Sequence, residues 1–111
     1  MAGDATLESL LPYLHLARRA GSVALGYRAV KQSLAQGRCV LILRARDAGE
    51  SLRRLAVGQT PLVELADREA LGAWIGRREL AILGITDPGL AAGMLARLGE
   101  GGAADPGALR R

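Results

Sequence analysis

The sequence predicts an α/β domain, a three-layer α/β/α sandwich around a four-stranded, mostly parallel or mixed sheet. Three observations carry this expectation. Two short, uninterrupted apolar runs, Cys39 to Leu43 and Leu80 to Ile85, are bounded by glycine or charge and fit strands covered on both faces. Segments with helical spacing separate the strand-like runs, and Gly, Asp or Pro opens or closes each of them. The chain has 111 residues, 50% of them apolar, which suits one domain burying about two-thirds of its unfolded surface.

Residues 1–9 read as a flexible leader, 10–98 as the folded domain, and 99–111, rich in Gly, Ala and Pro, as a flexible tail. The first helix is expected from Pro12, since proline is tolerated in a first turn, to Ala20, with Leu11, Leu14, Leu16 and Ala17 supplying an apolar face. Gly21 ends it, and Ser22 to Leu25 is long enough only for a short strand. Gly26 then turns the chain into a second helix with the apolar stripe Ala29, Val30 and Leu34, which leaves Arg28, Lys31, Gln32 and Ser33 for other faces. Gly37 closes that helix.

After the strand at Cys39 to Leu43, Asp47 with Glu50 is placed to cap a short third helix from Glu50 to about Ala56. Pro61 to Leu65 is the next strand, Asp67 caps a helix running to Ile75, and Leu80 to Ile85 is the last strand. Asp87 and Pro88 supply the N-cap and first position of a final helix through Leu98. Val40 to Leu43 and Leu80 to Leu83 should be neighbouring buried strands. Alternation of strand and helix throughout places helices on both faces of the sheet.

Charge is concentrated rather than spread. Between Ser9 and Arg46 the chain carries Arg18, Arg19, Arg28, Lys31, Arg38, Arg44 and Arg46 with no Asp or Glu, whereas the chain from Asp47 onward is nearly neutral. An acid-free field of this kind at the mouth of an α/β unit suits a polyanion. Enzyme signatures are not visible. A single His and a single Cys assemble no zinc cluster or nucleophile-base pair, and neither a GxxxxGK[ST] loop nor a GxGxxG after a strand occurs. The expectation is therefore a protein that is not an enzyme and needs no cofactor or metal. Acids near the N-terminus do not read as a secretory signal, and a lone Cys39 in an apolar run reads as a small buried hydrophobe, so a cytoplasmic location is expected.

Several segments together carry a resemblance: Leu16-Ala17-Arg18-Arg19-Ala20-Gly21-Ser22-Val23, Leu25-Gly26-Tyr27 opening a helix, Gly37, Val40 to Asp47, Leu71-Gly72-Ala73-Trp74-Ile75-Gly76-Arg77, and Ile85 to Gly89. In this order and spacing they resemble the L-seven-Ae/L-thirty-e family of ribosomal, kink-turn RNA-binding proteins, in particular its small stand-alone bacterial members. The resemblance spans about Leu10 to Leu98. It implies the same sandwich and a partner that is RNA, ribosomal or otherwise structured, with a role in translation or ribosome assembly. It also implies an RNA-binding surface made from the turn before helix two, the first turns of that helix, and the loop before the last strand. In this chain those positions, with the adjacent cations, are Gly26, Tyr27, Arg28, Lys31, Gln32, Arg38, Arg46, Arg77 and Arg78. Family members follow the glycine with a small residue and then Asn-Glu-x-Thr-Lys, whose Asn and Glu read sheared purine pairs. Here Arg28 and Ala29 occupy those places, so phosphate contact is expected to outweigh base readout. The alternative is a protein-interaction adaptor on the same scaffold that has lost kink-turn recognition.

Overall fold

Successive side chains of a strand point to opposite faces, and this alternation divides the core in two. A computed structural model describes residues 2–100. Its elements are α1 (Ala2–Arg19), β1 (Val23–Leu25), α2 (Tyr27–Ala35), β2 (Leu41–Arg44), α3 (Glu50–Arg53), β3 (Leu62–Glu64), α4 (Arg68–Ala73), β4 (Ile82–Ile85) and α5 (Pro88–Glu100). Leu41, Leu43, Leu83 and Ile85 join Leu10 and Leu14 of α1, Leu71 of α4 and Met94 of α5 in one buried cluster. Ile42 and Ile82 join Val30 of α2 and Leu52 of α3 in the other. The result is the three-layer sandwich expected from the sequence.

The sheet runs β1-β4-β2-β3, with β4 antiparallel to both neighbours and β2 parallel to β3, so it is mixed. The runs at Val40 to Leu43 and Leu80 to Leu83 contribute the paired central strands, although they pair antiparallel. An uninterrupted apolar run reports burial on two faces, not strand direction. Packing on this face of the sheet needs Gly84, where a Cβ would lie 2.9 Å from the Cys39 sulfur and 3.5 Å from Val30 of α2.

Five expectations are corrected. Residues 6–9, assigned to a leader, are helical, and Pro12 lies inside α1 rather than at its start. Proline in a helix interior costs about 3 kcal/mol, but Leu7 and Leu10 are both buried, and burying each contributes about 1.5–3 kcal/mol. The third helix stops at Arg53, not about Ala56: Leu52 is its one buried residue, and Leu55, which packs on the same cluster, lies beyond its end. Asp47 does not cap it. Gly49 occupies the cap position, and the Asp47 carboxylate instead accepts from the Arg68 backbone N–H at 2.9 Å, at the start of α4. Ser33, assigned to an outer face of α2, is buried, because Cys39 lies across from it under the helix.

Asp67 and Asp87 cap as expected, accepting from Ala70 N–H at 2.8 Å and Leu90 N–H at 3.1 Å. Cys39 is buried as expected. Desolvation pushes its thiol above the ordinary 9.0, against smaller opposing contacts from the Leu41 carbonyl and the Ser33 side chain. The tail expected over 99–111 lies, from residue 101, outside the described residues. Among the described residues no helix is long and apolar enough to cross a membrane.

Candidate nucleic-acid interface

β1, β2 and β3 end at the same edge of the sheet, and β4 begins there, as the pairs Leu25↔Leu83, Arg44↔Ile82 and Arg44↔Glu64 require. Four loops therefore meet at this rim. Main-chain hydrogen bonds tie them together: Gly26 N–H to the Ile82 carbonyl at 3.0 Å, Ala45 to Ala81, Arg46 to Ala66, and Leu80 to Arg68, each at 2.9 Å. The crevice outside the carboxyl ends of the strands is where open α/β sheets hold ligands.

Gly26 sets the entry to α2. Its φ of 92° and ψ of 170° belong to a region essentially reserved for glycine, and no side chain caps the helix. The first N–H groups of α2 consequently point out at the rim without a side-chain acceptor. No acidic residue occupies that first turn, and Arg28 stands there instead. A cation at the positive end of a helix is electrostatically unfavourable on its own, and an anion bound between them relieves both.

Accounting for the cations separates two groups. Arg44 is committed to Glu64, 2.8 Å away, and to the Leu52 carbonyl; Arg53 donates to the carbonyls of Ala48 and Arg46. Arg54 pairs with Glu50, and Arg68 sits 3.4 Å from both Asp47 and Glu79. By contrast, Arg28, Lys31, Arg38, Arg46, Arg77 and Arg78 make no ion pair among the described residues, and all six are exposed.

The structure brings most of the expected site residues to one end. Gly26, Tyr27 and Arg28 open α2 at the rim, Arg46 follows β2, and Arg77 and Arg78 precede Leu80 on the loop that returns to β4. Lys31 and Gln32 lie one turn further along α2 and diverge. The Lys31 ammonium sits 5.7 Å from the Tyr27 ring centroid, beside an open groove of about 960 Å³ between α2 and α3. Gln32 lines a smaller cleft with Gly21, Val23, Thr86 and Arg38. Arg38 follows the C-terminus of α2, which spans about 13 Å over its 9 residues, so it stands at the opposite end from Arg28.

Sequence reasoning missed the groove, whose far wall includes Glu50, Ser51, Arg54 and Leu55. Its walls come from segments roughly twenty residues apart and meet only through tertiary packing; the available signal was an aromatic residue, Tyr27, in the outward first turn of a helix.

The fold described here is shared with known structures. A Bacillus halodurans protein of unknown function superposes with a TM-score of 0.69 at 27% identity, over 81% of this chain and 96% of that one. A Giardia lamblia 15.5 kD RNA-binding protein superposes with a TM-score of 0.65 at 16% identity, over 89% of each chain. No protein-family profile matches the sequence, and no curated protein is significantly similar to it.

Proposed function

We propose that this protein is a non-catalytic RNA-binding module of the L-seven-Ae/L-thirty-e type, serving translation or ribosome assembly, and that it grips structured RNA at the rim around the start of α2. The single observation that carries the reading is the unneutralised set Arg28, Arg46, Arg77 and Arg78 beside the uncapped N-terminus of α2, when neighbouring Arg44 and Arg68 are ion-paired. The shared fold with an RNA-binding protein of Giardia supports the same class. Phosphate oxygens satisfy free N–H groups and guanidinium groups together.

Selectivity for a kink-turn is expected to be low. Ala29 has no side-chain acceptor, and Arg28 is a donor only, so neither reproduces the hydrogen bonds by which Asn and Glu read purine edges. Each bidentate base contact is worth about 1–3 kcal/mol of discrimination, and two are missing.

Titrating the protein against a kink-turn, its straightened mutant and a plain duplex at several salt concentrations tests the reading. Binding to all three, with a kink-turn preference below about a hundredfold and a strong salt slope, is the expected result. Lys31→Glu should weaken all three. RNA binding by Lys31→Glu equal to that of the unaltered protein would remove Lys31 from the interface, and no RNA binding by the unaltered protein would remove the function.

A further inference from the structure

We propose that the groove between α2 and α3 is a subsite for one unpaired nucleotide of the bound RNA, with the base on Tyr27 and the phosphate between Lys31 and Arg54. This inference rests on the RNA-binding reading and names what one further part of the surface takes. Tyr27 is 40% exposed and is one of two large apolar side chains so exposed among the described residues. An aromatic ring left in solvent at the mouth of a groove is a stacking platform, since every base has a π-face. Leu34 and Leu55 supply apolar walls on which the edge of a base can rest, and Ser51 offers a hydroxyl. The volume, about 960 Å³, falls within the range of small-ligand clefts.

Charge selects the occupant. Lys31 lies at the Tyr27 ring and has no acid partner among the described residues. Among the described residues Arg54 is paired only with Glu50, and both side chains are more than 70% exposed, at 77% and 72%, so that pair is weak and Arg54 is available to a stronger anion. A flat aromatic group carrying one phosphate matches a groove lined by one aromatic ring, with Lys31 at its face, and by a second cation, Arg54. The groove is also continuous with the rim, because Tyr27 is the first residue of α2. A duplex cannot present a base to it. A bulge or single-stranded flank can.

The experiment uses a hairpin with a one-nucleotide bulge, the same hairpin with an abasic bulge, and a fully paired hairpin. These are titrated against the unaltered protein, Tyr27→Ala and Tyr27→Phe, with 2-aminopurine at the bulge as a stacking reporter. The unaltered protein and Tyr27→Phe should quench the reporter and prefer the base-bearing bulge over the abasic one by about tenfold or more, whereas Tyr27→Ala should lose both the quench and the preference. The salt slope should not change, since no charge is removed. RNA binding by the unaltered protein that ignores the abasic replacement would overturn the subsite while leaving the RNA-binding reading intact. Failure to bind any hairpin would overturn both. An equal loss on all three hairpins with Tyr27→Ala would show that the ring supports the fold of α2 rather than a base.

Discussion

The two ends of the sheet carry similar positive charge in opposite electrostatic settings. At the rim where α2 begins, Arg28 stands at the positive end of a helix dipole with no acid in the first turn. At the other end, Arg18 and Arg19 occupy the last turn of α1, and Arg38 follows the last turn of α2, where cations complement negative helix ends. Charge at the second end has a reason within the folded chain. Charge at the first end does not, and its placement costs stability unless an anion arrives. The difference teaches that the acid-free run from Ser9 to Arg46 is not one binding surface, and that only the part gathered at the rim calls for a ligand.

The largest expected effect separates both ends from the core between them. Ile42, fully buried under α2 and α3, should cost about 2–5 kcal/mol of stability when replaced by Ala, measured by urea denaturation. RNA affinity of the folded fraction should be unchanged, because Ile42 reaches neither end.

Gly26→Ala acts on the rim through the backbone. No atom would meet the added Cβ within 4 Å, so the cost comes from φ alone, about 1–3 kcal/mol. Relief by re-aiming the first turn of α2 should weaken RNA binding as well. A variant with unaltered melting temperature and affinity would show that the turn is not strained for alanine and that its aim is unimportant.

A smaller effect belongs to the second end, where Cys39 follows Arg38. Its folded-state pKa is raised by burial, so the folded protein holds this proton to higher pH than the unfolded chain does. The thiol's contribution is therefore complete below the unfolded value and is lost as pH rises from about 9.0 through the higher folded value. The stability difference between the unaltered protein and Cys39→Ala should shrink over that window. A difference that is flat or grows would contradict the buried-thiol assignment.

Much of this arrangement was legible in the sequence. Glycine and aspartate mark the element boundaries because φ above zero and capping are local demands; Gly21, Gly26, Asp67 and Asp87 illustrate this. Burial of the two central strands was readable from their uninterrupted apolar runs, but their antiparallel pairing was not, since direction depends on the whole crossover pattern. Asp47 was misread as a local cap because its true partner, the Arg68 N–H, lies 21 residues away. Leu7 and Leu10 belong to α1 because tertiary packing buries them, in a cluster that includes Leu71 of α4 and Met94 of α5. At the site, residue types were visible and their distribution between two ends was not. Arg28 and Arg38 are close in sequence, yet a helix of 9 residues holds them apart.

The central claim is that the rim binds RNA and the opposite end does not, and paired charge reversals test it most directly. Arg28→Glu should weaken RNA binding by about tenfold or more, lower the salt slope by roughly 0.7–0.9, and hold or raise stability by about 0.3–1 kcal/mol, because an acid then occupies the positive end of α2. Arg38→Glu should do the reverse, lowering stability by about 0.3–1 kcal/mol and leaving RNA affinity within about a factor of two. Equal losses of affinity in the two variants, or a loss confined to Arg38→Glu, would contradict the account.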